Sequence, residues 1–440
     1  MTPSSTLSLS GERFTAVYRL SGTAAEVEAR ARAICLEQTV EFPEALIPTE
    51  AIREQIVGVI AEIKPCSSMG SSTSQGTGFS PSSSTSHGTD SISSSSWSDS
   101  FDPDASDENP SSFEVSIRYP IEAAGRELTQ LLNVLFGNVA LQPGVRLQRI
   151  DLPPALLQHY TGPRFGIAGL RQQLDITDRP LLCTALKPMG LSPTELADMA
   201  YRLALGGIDL IKDDHGLSDQ TFCPFDERIS RCAEAVARAN QQTGHTSLYL
   251  PNITAPADEL NARAERAREQ GAGGLLLCPG LTGIDSLRRL AADDQIALPI
   301  LSHPALLGGL SLGSGLGSGL GTGLGSSQGL AHGLLFGTLT RLAGADATIF
   351  PSFGGRFAFT AAECQEIMTA ARAPLAGLAP IWPVPAGGMR LEQVPELVTF
   401  YGRDSMLLIG GDLHAGEDLS ARCQAFLRLV RQASEQTSND

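Results

Sequence analysis

The sequence predicts an α/β protein: a closed (β/α)8 barrel in the C-terminal part, preceded by a smaller α+β domain. Three observations carry this. From about residue 180, apolar strand-like runs alternate with amphipathic helical stretches, the pattern of a parallel sheet. Eight such units fit into about 255 residues, the usual size of a TIM barrel. The full 440 residues leave room for one further small domain. An open doubly wound sheet is the competing architecture for the same alternation.

The N-terminal part, residues 1–153, reads as α+β. RFTAVYRL (13–20) reads as a strand and TAAEVEARARAICLE (23–37) has helical spacing. AIREQIVGVIAEIKP (51–65) alternates weakly and is read as a strand. Residues 66–112 then change character, with 20 serines in 47 positions. Such a segment cannot bury a core and is expected to be disordered. Structure is expected to resume with a strand, FEVSIRYP (113–120), a helix, AAGRELTQLLNVLFG (123–137), and a strand, VRLQRIDLP (145–153). The serine tract is therefore read as an insertion inside the small domain.

Residues 154–440 carry the barrel. Its strands are read at 180–187, 207–213, 246–252, 273–279, 297–303, 346–352, 379–385 and 406–412. Helices are read at 192–205, 224–242, 256–269, 282–292, 330–343, 361–372, 391–401 and 416–433. A second insertion, GGLSLGSGLGSGLGTGLGSSQG (308–329), follows strand five. It reads either as a tolerated loop expansion or as a lid over the catalytic face.

Composition removes several function classes. Formal net charge is −16, which argues against a nucleic-acid binder, since that function needs a basic face. It also argues against a polybasic membrane-surface module. No basic-then-apolar leader and no run of about 20 apolar residues is present, so a cytoplasmic protein is expected. The eight cysteines are scattered without a CxxC pair and read as free thiols. An anionic metabolite is still compatible, because backbone amides and a bound cation supply local positive charge.

Lysine is nearly excluded: only Lys64, Lys187 and Lys212 occur. A lysine kept inside an apolar run is a candidate for chemistry that arginine cannot do, because lysine can lose its proton. In GGIDLIKDDHGLSD (206–219) a strand ends in Lys212-Asp213-Asp214-His215. Side chains alternate along a strand, so Lys212 and Asp214 share one face and Asp213 points the other way. In LLCTALKPMGLSPTELADMA (181–200), Lys187 ends the preceding strand and Ser192 with Glu195 forms a capping box for the next helix. Two adjacent strands thus carry lysines at the ends where barrels hold their active sites. Double glycines, Gly387-Gly388 and Gly410-Gly411, follow strands seven and eight. Those loops form the usual barrel phosphate site, and glycine lets backbone N–H groups approach phosphate closely.

The run LLCTALKPMGLSPTELADMAYRLALGGIDLIKDD, with GPRFGIAGLR (162–171) before it and PVPAGGM and LLIGGD after it, resembles the large subunit of ribulose bisphosphate carboxylase/oxygenase (RuBisCO). The resemblance covers nearly all of the chain outside the two insertions. It implies a ferredoxin-like N-terminal domain on a (β/α)8 barrel and a homodimer or higher oligomer. It also implies that one subunit's N-terminal domain covers its partner's site. By that resemblance Lys212 is the lysine carbamylated by CO2, and the carbamate and Asp214 ligate Mg2+. His215 takes the place of the third ligand, Lys187 moves the proton, and His303 is the histidine ending strand five. Glu37, in LEQTVEFP, reaches into the partner's site, and the four glycines cradle one phosphate. Arg356 stands near the position of the family's loop-six lysine.

The departures matter as much. The third metal ligand of the family is a glutamate, whereas this chain has His215, a poorer ligand for Mg2+. Met189 replaces a lysine, Pro304 an arginine and Ala386 a serine. One phosphate cradle remains while the other loses its cation and hydroxyl. The resemblance is thus to RuBisCO-like proteins acting on a monophosphate, and bisphosphate carboxylation is not expected. The expected chemistry is metal-assisted enolisation of a phosphorylated keto-sugar or keto-acid, leading to decarboxylation. Isomerase or enolase chemistry on a ketose monophosphate is the alternative, and a non-catalytic structural or regulatory role is a third.

Overall fold

The computed structural model describes residues 7–66, 112–311 and 328–437, except positions 356, 358 and 417. Most of the serine tract, most of the glycine-rich insertion and Arg356 therefore lie outside the described residues. Strands β1 (Arg13–Ser21), β2 (Val59–Pro65), β3 (Ser112–Pro120) and β4 (Val145–Asp151) form an antiparallel sheet in the order β4-β1-β3-β2. With helices Ala24–Glu37 and Leu128–Phe136 packed on it, this is the ferredoxin-like arrangement. β2 and β3 are antiparallel neighbours, with Pro65 opposite Phe113, so the serine tract joins two paired strands of one sheet.

Residues 51–65 are not a single strand: Glu50–Gln55 is helical and only Val59–Pro65 is extended. Thr49 caps the helix by accepting from the Ile52 N–H, and good helix formers follow before Val57-Gly58 ends it. The stretch read as one helix over 123–137 is likewise broken at Gly125, whose φ is +60°.

The barrel strands are β5 (Leu181–Leu186), β6 (Leu210–Asp213), β7 (Leu248–Leu250), β8 (Leu275–Leu277), β9 (Ile300–Ser302), β11 (Ala347–Pro351), β12 (Trp382–Ala386) and β13 (Met406–Ile409). They pair in parallel in the order β7-β6-β5-β13-β12-β11-β9-β8. A parallel bridge between Asn252 and Leu276 joins the two ends, so the sheet closes. An open sheet is thereby excluded. All residues of β5, β6 and β13 are buried, the signature of strands covered on both faces. Helix Gly166–Leu174 directs Ile167, Leu170 and Leu174 into the barrel interior with Leu181, Trp382 and Met406. Asp346 fastens that helix to the barrel by accepting from the Phe165, Gly166 and Ile300 N–H groups at 2.6–2.9 Å.

The insertion after strand five returns as β10 (Gly329–Leu330), which pairs with Arg146 and Leu147 of β4. It adds a fifth strand to the N-terminal sheet and so couples the two domains. The next segment, Gly333–Leu339, is a π-helix rather than an α-helix. A Cβ at Gly333 or Gly337 would collide with the helix Ala361–Arg372, so these glycines allow close packing.

Behind the site, Arg179 and Asp209 form a fully buried bidentate pair at 2.7 and 2.8 Å. Burial alone would raise the Asp209 pKa, but bonds from Arg179 and His245 outweigh it and hold the carboxyl below its usual range. Its contribution is complete above the unfolded carboxylate pKa, near 4, and is lost as pH falls through the lower folded value. Arg179→Met is expected to cost about 3–5 kcal/mol, because a buried charge loses its partner. A urea midpoint shift at constant slope measures this. A change below about 1 kcal/mol would show the pair to be dispensable.

Candidate active site

The strand register places the chemistry-bearing groups at one mouth. Ala185 pairs with Lys212 and Leu186 with Asp213, so Lys187 and Asp214 leave β5 and β6 at the same level. Ile409 pairs with Thr184, whose hydroxyl donates to the Ile409 carbonyl at 2.7 Å. The Gly410-Gly411 turn therefore starts one strand away from Lys187. Ala386 pairs with Leu408, which brings the Gly387-Gly388 turn alongside.

Lys187 Nζ lies 2.6 Å from Asp214 Oδ2, and His215 Nδ1 lies 3.0 Å from Asp214 Oδ1. The Gly216 N–H donates to the same Oδ1 at 2.9 Å. Burial works against ionisation of Asp214, but these three donors win and hold its pKa far below the usual carboxylate range. The His215 and His303 rings stack at 4.3 Å, so side chains following strands two and five meet across the mouth. His303 Nδ1 accepts from the Ala305 N–H, so its neutral form carries the proton on Nε2. Burial, then the Lys212 and His215 charges, push the His303 pKa down to about 2.

Lys212 is buried at 3% exposure and donates to the Asp213 carbonyl at 3.0 Å. Burial lowers its pKa, with the Lys187 charge adding to it and Cys183 and Asp214 opposing. Asp213 faces away as the alternation requires. Its carboxylate accepts from Arg228, Tyr249 and the Asn252 N–H at 2.8–3.0 Å, which pins the strand carrying Lys212 and Asp214.

The glycine turns have conformations and surroundings that suit glycine. Gly387 and Gly388 have φ of +96° and +76°, which favours glycine, and no atom lies within 4 Å of a Cβ built at Gly410 or Gly411. A cavity of about 120 Å³ lies between loops six and seven, lined by Gly354, Gly355, Gly387 and Gly388.

Glu37 does not join this group within the chain. It lines a separate pocket of the N-terminal domain with Glu41 and Asn133, and it accepts from the Asn138 side chain at 2.9 Å. Sequence reasoning missed two contributors. Asn138 holds Glu37, and its signal was only a polar residue after a helix. Asn252 donates to the carbonyls of His215 and Leu217 at 3.0 and 2.8 Å, fixing the loop that carries His215. Its place just past strand three was the available clue.

A closed barrel with a lysine–carboxylate pair and glycine turns at the C-terminal mouth defines a (β/α)8 protein with its polar groups on the face where such barrels carry their active sites. Residues 166–439 match the family described as ribulose bisphosphate carboxylase large chain, catalytic domain. The chain belongs to that family. It is 37% identical over 425 residues to a 5-methylthioribulose-1-phosphate isomerase of Rhodospirillum rubrum, covering 96% of this chain and 97% of the relative. It is 36% identical over 307 residues to a 2,3-diketo-5-methylthiopentyl-1-phosphate enolase of Geobacillus thermodenitrificans, covering 69% and 71%. The crystal structure of a Rubisco-like protein from Rhodopseudomonas palustris superposes with a TM-score of 0.75 at 35% identity, covering 95% of this chain and 97% of that one. Among the described residues no helix is long and apolar enough to cross a membrane, and all eight cysteines are free.

Proposed function

We propose that the chain catalyses enolisation of a phosphorylated ketose, moving a proton α to the carbonyl and yielding an isomer. One observation supports this above the others: an exposed Lys187 ammonium, an ionised Asp214 and a buried Lys212 amine share one mouth with two glycine turns. Lys187 is the group that moves the proton, and neutral His303 offers its Nε2–H to a substrate oxygen. The glycine turns hold the phosphate.

The donor set fits a divalent cation on one condition. Among the described residues no three His, Cys, Asp or Glu side chains are grouped to hold a metal. Asp214 and His215 supply two donors, and Lys212 supplies a third only as a carbamate. Mg2+ held by these three would act as a Lewis acid on the substrate carbonyl and stabilise the developing enediolate charge. Glu37 would complete the site from a second copy of the chain, so the working unit we infer is a homodimer, located in the cytoplasm.

The far end of the substrate is uncharged in this reading. Met189 is 51% exposed at the mouth, and a Cβ at Gly216 would meet its methyl group. Pro304 follows His303, so neither position offers a cation to a second anion. A keto-acid destined for decarboxylation brings an extra carboxylate, which this wall serves less well than a neutral tail. Proton transfer is therefore preferred over decarboxylation.

The test is deuterium exchange from solvent into 5-methylthioribulose 1-phosphate with Mg2+ and bicarbonate, against ribulose 1,5-bisphosphate. Exchange is expected with the monophosphate alone. Absence of exchange with every phosphorylated keto compound tried would overturn the reading. Met189→Lys is expected to lower kcat/KM for the neutral-tailed substrate about tenfold while improving bisphosphate binding. An unchanged preference would remove Met189 from the specificity wall.

A further inference from the structure

Asp412 is not needed by the chemistry above, yet it sits between the two glycine turns. Its Oδ2 accepts from the Leu391 N–H at 3.1 Å, three residues beyond Gly388. The same oxygen accepts from Arg422 Nη2 at 2.7 Å, and Arg422 Nε donates to the Asp412 carbonyl at 3.2 Å. Asp412 directly follows Gly411, so one carboxylate ties loop seven, loop eight and the helix Leu419–Thr437 together. Both side chains are mostly buried, at 18% and 24% exposure, and the Arg422 guanidinium lies over the Phe426 ring. The pair is thus held in place from the helix side.

The strands beneath leave this spacing underdetermined. β12 and β13 are paired at Ala386 and Leu408, below the turns. Beyond that level each turn is glycine-rich, and two consecutive glycines have many backbone states. A shared phosphate needs N–H groups from both turns aimed at one point. We propose that Asp412, fixed by Arg422, is the positioning residue that sets the distance and orientation of the two glycine turns. This rests on the reading of those turns as the phosphate cradle.

The role predicts a selective defect. Asp412→Ala frees the Leu391 N–H and lets the turns separate, so inorganic phosphate binding should weaken and KM should rise, each about tenfold. Turnover at saturation, set by Lys187, should change less than about twofold. Asp412→Asn keeps an oxygen acceptor for Leu391 and should recover part of the loss. Arg422→Lys keeps the charge but loses the two-pronged hold, and should fall between wild type and Asp412→Ala.

The experiment is calorimetric titration of inorganic phosphate into wild type and the three variants, with KM and kcat for 5-methylthioribulose 1-phosphate. Weakened phosphate binding with a raised KM and near-constant kcat supports the proposal. Wild type and Asp412→Ala binding phosphate equally overturns the positioning role and leaves the cradle standing. Wild type binding no phosphate overturns the cradle reading itself. Should Asp412→Ala not fold, the near-isosteric Asp412→Asn and Arg422→Lys decide, and equal phosphate affinity in both overturns the role.

Discussion

Lys212→Arg is expected to abolish bicarbonate-stimulated metal binding and to lower exchange activity sharply. The wild-type Lys212 amine is buried and its pKa is lowered by that burial, so the neutral form needed to attack CO2 is accessible. Attack would form an N–C bond and release a proton, turning a cation into an anionic oxygen donor beside Asp214. Arginine keeps its charge and cannot follow this route. Loss of the donor should reduce turnover by about 10²–10³, the scale of removing one transition-state stabiliser. Lys212→Glu should keep part of the metal affinity, since a carboxylate stands near where the carbamate would. His215→Glu should strengthen Mg2+ binding by restoring a hard oxygen ligand. The measurement is calorimetric titration of Mg2+ with and without bicarbonate, with thermal melts as controls for packing. Bicarbonate-independent binding, equal in wild type and Lys212→Arg, would overturn the carbamate.

What the sequence reveals about this fold follows from burial. The barrel strands are covered on both faces, so each reads as a continuous apolar run, as in LLCTAL and MLLI, and their number and order can be counted. The candidate site is legible for the same reason, because Lys187, Lys212 and Asp214 interrupt those runs where a parallel barrel opens. Residues 51–65 read as a single strand because short amphipathic stretches fit both periods, and the Thr49 cap is the signal that favours the helix. β10 is two residues long and is held by β4, so nothing local in a glycine-rich stretch announces it. Asn252 and Asp412 act through backbone groups distant in sequence, at 37 and 21 positions from their partners His215 and Leu391. Such pairings exist only once the barrel is closed.

Lys187→Met is expected to slow proton transfer by orders of magnitude while leaving the proposed metal donors intact. The Lys187 side chain is 42% exposed at the mouth, and its ammonium sits 2.6 Å from Asp214. Methionine has similar length and no proton to give or take, so the exchange rate should fall by about 10²–10⁴, the usual contribution of a positioned acid–base group. Phosphate binding should be unchanged, because the proposed cradle would use backbone donors of the glycine turns. Mg2+ should bind as tightly or several-fold more tightly, since the ammonium competes with a cation for the same carboxylate. Lys187→Arg separates charge from chemistry: it restores the competition at Asp214 yet should not restore exchange, because a guanidinium does not release its proton near neutrality. Deuterium exchange followed by proton NMR, with Mg2+ titration on the same samples, reads both quantities. Full exchange activity in Lys187→Met would assign the proton to another group, and weakened Mg2+ binding there would place Lys187 among the groups that build the metal site rather than those that use it.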